Sequence, residues 1–526
     1  MMILQTKNYV DFEVPPLITF TGYKQANRCL PGDTVEWEYN KCKLVKRGSH
    51  RFIPGILQTN SKTIYGHTTR GNKVFLFHPH DRKYPPFRVG SNCRDTTRNQ
   101  LGLIEFMDWE EFESMPRGNL IRILGPCGDL TAEKKALTYE YSSPNVASKL
   151  FDVAETNDTT RTPLQGFTFN IDPDGCMDID DVLTLNQISE TQWEFVITIS
   201  DVAAHIVEGS EGDKHAFYLG ETLYQNSEAV VPMLPTVLSE MAFSLRAKEK
   251  HIGVSLCCVW DRSTQKLTLG EFKETIFHNN ESFTYETVTN YLDPHLLTVL
   301  KEIVAALHGT PTEDTHEWVA ECMILYNKQV ALKLLEHNVG LLRSHSLPDA
   351  ERLRELTAIH SDLQFLAYKA ANYAPTGPNL IHAGLGAVPY CHASSPIRRY
   401  ADLVNQRNLK AILRGSPLPP TSDTVAQQLN GIQKRMRAYE RSLFFLEQVA
   451  VTPSGQVEGF VVISTEEKTK VYVPSWKIMI RVDPGTYTLG QRLQVDYYAD
   501  LSKPRWDQRM VFRVANTSSV DAVHAE

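Results

Sequence analysis

Apolar positions change rhythm three times along this chain. Residues 1–130 alternate apolar and polar positions in short runs, as in "DTVEWEYN" (33–40) and "KVFLFHP" (73–79), with frequent Gly and Pro between them. A period of two predicts half-buried strands. "LIRILGPCGDL" (120–130) reads as a last strand and turn, so small β-barrels are predicted. Between 131 and 165 follow a short helix, "TAEKKALTYEYSS", and a polar stretch, "ETNDTTRT", that reads as a linker. In the centre, "DVLTLNQ" and "QWEFVITISDVAAHI" flank a turn and predict a strand pair. Beyond about residue 290 the spacing turns helical in "HLLTVLKEIVAALHG", "HEWVAECMILYNKQVALKLLEHN" and "VAQQLNGIQKRMRAYERSLFFLEQVAV". In the second of these, Val319, Cys322, Met323, Tyr326 and Val330 recur on one face. After Pro453 strands return in "SGQVEGFVVIS", "KVYVPSWKIMIRV", "QRLQVDYYAD" and "RMVFRVA", which predicts one more small barrel.

A chain of 526 residues exceeds one hydrophobic core, so several domains are expected. Its 42% hydrophobic and 22% charged content is ordinary for a globular chain in water. The opening "MMILQTKNYV" lacks the charged and apolar regions of a secretory signal, and no apolar run reaches the ~18 residues that span a bilayer. No membrane association, a cytoplasmic location and a monomer are therefore expected. Nine cysteines without a CxxC pair read as thiols in a reducing compartment, which argues against zinc. A formal charge of −8 argues against a general nucleic-acid coat, so local charge matters more than the total.

The densest local charge lies in residues 169–183, "FNIDPDGCMDIDDVL". Asp172, Asp174, Asp178, Asp180 and Asp181 are interleaved with apolar Ile171, Ile179, Val182 and Leu183. An EF-hand fails here, because Cys176, Met177 and Leu183 stand where a ligand, a Gly and a Glu are needed. The DxDD of Asp178–Asp181 also resembles the proton donor of class II terpene cyclases, but those are all-helical and this motif abuts strands. A solvated turn with capping aspartates remains open. The sharper reading is a hard-oxygen site for Mg²⁺ or Mn²⁺, whose charge offsets the repulsion between carboxylates. Two such ions about 4 Å apart activate water and stabilise a departing oxygen in phosphodiester hydrolysis.

Cationic partners are present in "CHASSPIRRYADLVNQRNLKAILRG". Arg398 and Arg399 follow Ser-Ser-Pro at a predicted helix start, a setting suited to phosphate oxygens. Residues 391–441 hold nine Lys or Arg against three Asp or Glu. A solvated helix face explains the two arginines equally well when they are taken alone.

Together these stretches resemble the RNB family, the ribonuclease II type of 3′-to-5′ exoribonucleases. The resemblance runs through "FNIDPDGCMDIDDVL", "ISDVAAHI", "LYQNSEAVVPMLPTVLSEMAFSLRAKEKHIGVS", "VAECMILYNKQVA", "GLLRSHSLPDAERL" and "YCHASSPIRRYADLVNQR", six blocks in family order. It implies a multidomain α+β fold, with a central RNB catalytic domain of mixed sheet and helices flanked by OB-fold barrels. The implied boundaries are a short first cold-shock-type barrel at 1–50, a second at 51–130, the RNB domain at 131–451, a C-terminal OB barrel at 452–516 and a tail at 517–526.

The resemblance also implies residue roles. Asp172, Asp178, Asp180 and Asp181 would hold Mg²⁺ or Mn²⁺ at the scissile phosphate, with Asp180 nearest the chemistry. Arg398 would neutralise charge on the phosphoryl oxygens, beside Arg399. Tyr224 would stack on or brace the terminal nucleotide. Glu321 would meet the ribose of the last nucleotides, where the 2′-OH separates RNA from DNA. Glu440, in "AYERS", would take the place of a late family glutamate. The expected reaction is hydrolysis of single-stranded RNA to nucleoside 5′-monophosphates; a catalytically weak RNA-holding regulator is the main alternative, and a phosphoesterase acting on DNA or small nucleotides a weaker one.

Some letters depart from the family pattern. "HFTSPIRRY" reads "HASSPIRRY" here, Gln406 replaces a histidine, and the span from Tyr285 to Glu321 is short, which bears on processivity and product length. The resemblance takes in no PIN nuclease domain, so endonuclease activity is not among the expectations it carries.

Overall fold

The computed structural model describes residues 2–15, 18–142, 158–225, 228–377, 380–386, 388–418, 421–500, 503 and 508–515. Packing divides the chain into two units, Met1–Pro144 with Arg435–Glu526, and Asn145–Lys434.

In the first unit, alternation produces a closed five-stranded barrel. Strands Ile53–Leu57, Lys73–Pro79 and Phe87–Ser91 form a meander; Gln100–Asp108 pairs back on the first, and Arg117–Pro126 closes the ring in parallel against the third. That is OB-fold topology. Every second side chain (Phe75, Phe77, Phe87, Val89) turns into the barrel core. Residues before it form two three-stranded sheets. Their strands are only two to six residues long, which is little to close a separate barrel, so Leu4, Phe12, Leu30 and Val35 share the core of Phe75 and Phe77 instead.

Helix Leu130–Tyr141 begins where the Asp129 side chain accepts from the Ala132 amide at 2.8 Å. It packs Ala132 and Ala136 on Ile56 and Leu101 of the barrel. The helix therefore goes with the barrel, past the boundary at 130 expected from the sequence. Near the C-terminus, strands Ser454–Thr465, Lys468–Val473, Ile478–Val482, Arg492–Ala499 and Met510–Val514 form one five-stranded sheet. "KVYVPSWKIMIRV" becomes two strands because Pro474, lacking an amide hydrogen, opens a short 3₁₀ turn in its middle. The expected tail at 517–526 lies outside the described residues.

The second unit is built on a seven-stranded sheet. Its centre is antiparallel, in the order Lys266–His278, Lys250–Asp261, Gln192–Ser200, Asp181–Gln187, Phe167–Asp172. Thr162–Pro163 and Glu281–Thr284 add parallel edges. Helices Pro294–His308 and Thr315–Glu336 cover the sheet. Cys322, Tyr326 and Val330 are buried in one cluster with Phe195, Ile197 and Leu256, so the predicted apolar face is the one that packs.

Only part of the predicted linker is described, and it is not loose. Arg161 is buried 2.7 Å from Asp201, itself wholly buried. Lys410, from helix Tyr400–Arg414, reaches both Asp201 oxygens at 2.6 Å. Burial works against the charge of Asp201, and Lys410 and Arg161 outweigh it, holding the carboxyl below its usual range. Glu274 completes the network, 3.5 Å from Lys410 and 3.7 Å from Arg161. Asp201→Ala leaves two buried cations short of a partner. The expected cost is about 3 kcal/mol, seen as a lower Tm by calorimetry; an unchanged Tm would mean that the network contributes nothing to folding.

Candidate functional site

The acidic loop hangs between two neighbouring strands of the second unit. Strand Phe167–Asp172 ends at Asp172 and strand Asp181–Gln187 returns beside it, with Phe169 opposite Leu183. The turn needs Gly175, whose φ of +75° favours a residue without Cβ, and the Cys176 amide bonds back to the Pro173 carbonyl at 3.1 Å. Ile171, Ile179, Val182 and Leu183 are all buried, so the apolar letters fasten the acids to the core. The backbone of Ile179 accepts from the Leu245 amide at 3.0 Å, and the Ile179 amide donates to Ser244 Oγ at 3.1 Å. The Asp180 carbonyl accepts from the Ser200 amide at 2.8 Å.

Facing the loop is the turn Ser395–Arg399. The helix begins at Tyr400, so Arg398 and Arg399 stand just before it. Buried Asp402 accepts from the Ser395 amide and from Arg399 Nη2, both at 2.8 Å, which folds the turn back on its helix. The Ile397 amide donates to Asp180 Oδ1 at 3.0 Å, and Arg398 Nε donates to Asp180 Oδ2 at 3.1 Å. Arg398 is also held by Ser395 Oγ at 3.0 Å, yet its side chain stays 44% exposed.

Both elements open into one cavity of about 930 Å³. Its lining carries the five loop aspartates, Glu228 and Glu240, against Arg398 and Arg399, a formal charge of −5. Tyr224, on the short strand Leu223–Gln225, donates its hydroxyl to Asp178. Tyr285 lines the cavity and stacks on His316, with ring centroids 3.8 Å apart. Among the described residues, no three of His, Cys, Asp or Glu converge as a ready-made metal cage.

Crowding and burial disfavour ionisation in the metal-free loop. Burial pushes Asp180 up to about 7, although Arg398 and the Ile397 amide pull it back. Burial, then Asp172 and Asp180, raise Asp181 well above its ordinary value, and burial raises Asp172. Burial, then Asp172 and Asp181, push the Tyr285 phenol up to about 12. Every one of these shifts favours the neutral form.

The cavity thus gathers Asp172, Asp178, Asp180, Asp181, Tyr224, Arg398 and Arg399. It does not gather Glu321, expected at the ribose. Helix Thr315–Glu336 presents Val319, Ala320, Met323, Ile324 and Asn327 to the cavity, and Glu321 instead pairs with His308 Nδ1 at 3.2 Å on another face. Glu440 is exposed on the part of helix Asp423–Val451 that belongs to the other unit. Three residues carry more than their letters suggest. Buried Asn327 accepts from the Ala393 amide at 2.9 Å and donates to Ser394 Oγ at 3.1 Å, fixing the approach to the arginine turn. Buried Gln406 donates to the Ser200 carbonyl at 2.7 Å and accepts from the Ala203 amide at 2.9 Å. Tyr285 is the third. Only Gln406 left a trace in the sequence, as a departure from the family letter.

The RNB domain profile matches residues 161–298 and 295–415, and the profile of the Dis3-like cold-shock domain 2 matches 74–142. The chain therefore carries an RNB domain over residues 161–415 and a Dis3-like cold-shock domain 2 before it. Human exosome complex exonuclease RRP44 is 23% identical, over 81% of this chain and 55% of its own. Ribonuclease R of Helicobacter pylori is 25% identical, over 61% of this chain and 64% of its own. The chain spans about half the length of the curated RRP44 relatives it matches. In fold it is similar to apo RNase R of Mycoplasma genitalium, with a TM-score of 0.72 at 16% identity, covering 98% of this chain and 100% of the other. It is also similar to yeast Ssd1, a pseudonuclease, with a TM-score of 0.59 at 17% identity over 95% and 81% of the two chains.

The electrostatics carry a pH signature. A carboxyl whose folded value is raised stabilises the fold most below its unfolded value of 3.8, and that contribution is lost as pH climbs through about 7 for Asp180. In EDTA, the Tm of the chain is expected to fall between about pH 4 and pH 7, and Asp180→Asn is expected to flatten the fall. A Tm equally steep in both chains would contradict the burial of Asp180.

Proposed function

We propose that this chain is a metal-dependent 3′-to-5′ exoribonuclease that hydrolyses single-stranded RNA to nucleoside 5′-monophosphates. The observation that carries the reading is the pairing, across one cavity, of four closely spaced aspartates with the half-exposed guanidinium of Arg398. A cavity with a formal charge of −5 repels RNA unless cations enter it. The donor set, all carboxylate oxygen, suits Mg²⁺ or Mn²⁺, and Asp172, Asp178, Asp180 and Asp181 would hold it. When bound, such ions supply an activated water and support for the leaving 3′ oxygen.

The chain's own residues do the rest. Arg398 turns from Asp180 to the phosphoryl oxygens and offsets charge growing there. Arg399 stays tied to Asp402 and keeps the turn in place. Tyr224 braces the terminal nucleotide, and Tyr285, already stacked on His316, offers a second ring. Val319, Ala320, Met323 and Ile324 form an apolar wall that excludes water and strengthens the charges opposite. The OB-type sheets of the first unit suit a sequence-tolerant grip on single strands by stacking and backbone charge. The relatives named as exonucleases and ribonuclease R support this reading, as does the Mycoplasma genitalium RNase R structure in complex with ribose-methylated single-stranded RNA.

A second reading, an RNA-holding protein that does not cut, draws on the fold likeness to a pseudonuclease. A labelled RNA followed on a gel separates the two. Hydrolysis from the 3′ end in Mg²⁺, stopped by EDTA, is expected, and Asp180→Asn is expected to abolish it while RNA binding persists. Wild-type turnover by that variant would remove the site assignment. Arg398→Ala is expected to slow turnover by about 100-fold or more with a smaller change in KM. Equal turnover of RNA and DNA of one sequence would point to another phosphoesterase.

A further inference from the structure

We propose that the aspartate loop binds its cation cooperatively with RNA, because Tyr224 and Arg398 occupy carboxylate oxygens that the cation needs. The inference rests on the exoribonuclease reading and concerns how that site is switched on.

Three of the four aspartates are already engaged by the protein. Tyr224 gives its hydroxyl to Asp178, and the Cys176 thiol lies 3.7 Å from the other Asp178 oxygen. Asp180 has both oxygens taken, one by the Ile397 amide and one by Arg398 Nε. Asp172 accepts from Asn170 Nδ2 at 2.9 Å, which leaves Asp181 the least engaged of the set. These bonds agree with the absence of a three-ligand cage among the described residues.

Both latches lie where RNA would arrive. Tyr224 and Arg398 line the same cavity as the aspartates, and the guanidinium is half exposed. A phosphate competes with Asp180 for Arg398 through charge-assisted bonds of the same kind. A terminal nucleotide competes for the ring of Tyr224. Each displacement frees an oxygen on Asp180 or Asp178, so RNA raises cation affinity, and by reciprocity the cation raises RNA affinity by the same factor. Asp172, Asp178 and Asp180 each accept a hydrogen from the protein, and a cation must compete with those bonds. The nuclease site is therefore assembled at the moment of substrate binding. Tyr224 is in this sense a positioning residue for the cation as well as a brace for the nucleotide.

The test is a titration of the full chain with Mn²⁺, with free Mn²⁺ read by electron paramagnetic resonance. It is run without RNA and with saturating 2′-O-methyl single-stranded RNA, subtracting what the RNA alone takes up. Affinity is expected to rise about tenfold with RNA. Tyr224→Phe, which keeps the ring and removes the hydroxyl, is expected to bind Mn²⁺ severalfold more tightly than wild type without RNA and to show a smaller gain on adding it. Equal Mn²⁺ affinity with and without RNA in the wild-type chain overturns the coupling and leaves the exoribonuclease reading standing. Coupling that persists undiminished in a folded Tyr224→Phe, its fold checked by circular dichroism, overturns the role of Tyr224. No Mn²⁺ uptake under either condition overturns the exoribonuclease reading itself.

Discussion

The carboxylate of Asp180 is the point on which the second unit turns. It stands in the acidic loop that joins two interior strands of the sheet, yet both of its oxygens are held by a turn more than two hundred residues later, through the Ile397 amide and Arg398. Burial and like charge push that carboxylate toward its neutral form, and Arg398 beside it offsets this only in part. The same constraint explains why loop and turn are each tied down on their own side: the loop by Ile171, Ile179, Val182 and Leu183, the turn by Asp402 and Asn327.

Position along helix Tyr400–Arg414 carries that contact into the fold. Gln406 and Lys410, one turn apart, both fasten the helix to the end of strand Gln192–Ser200, one through neutral hydrogen bonds and one through the ion pair with Asp201. The Ser200 amide in turn holds the Asp180 carbonyl. A closed ring of bonds therefore runs from Asp180 through the strand end and the helix and back to Asp180 through Ile397. A change at Gln406, remote from the cavity lining, would be felt at the guanidinium.

Much of this was legible in the sequence where one-dimensional spacing has a three-dimensional meaning. Period-two alternation located barrel strands such as Lys73–Pro79, because a half-buried sheet enforces it. The pair Asp181–Gln187 and Gln192–Ser200 is buried at nearly every position and was legible instead as two apolar runs flanking a turn. The interleaving of aspartates with apolar residues located the loop, because the apolar letters must reach the core. Glu321 was harder, since adjacent residues on a helix face different neighbours; one step round from Ala320 exchanges the cavity for His308. Asn327 and Gln406 carry no local signal, because their partners are fixed only by the tertiary fold. The fate of the N-terminal strands was likewise hidden: strand length is readable, but which core a short strand shares is decided by packing.

The buried network around Asp201 has a consequence for behaviour in concentrated salt. Mobile ions screen charges that water reaches and scarcely touch those enclosed by protein. Arg161, Asp201 and Lys410 are enclosed, whereas Arg398 is open to solvent on one side. Raising ionic strength therefore loosens the hold on a polyanion long before it weakens the scaffold, so a halophilic environment and a dilute one would meet the same fold with very different grips.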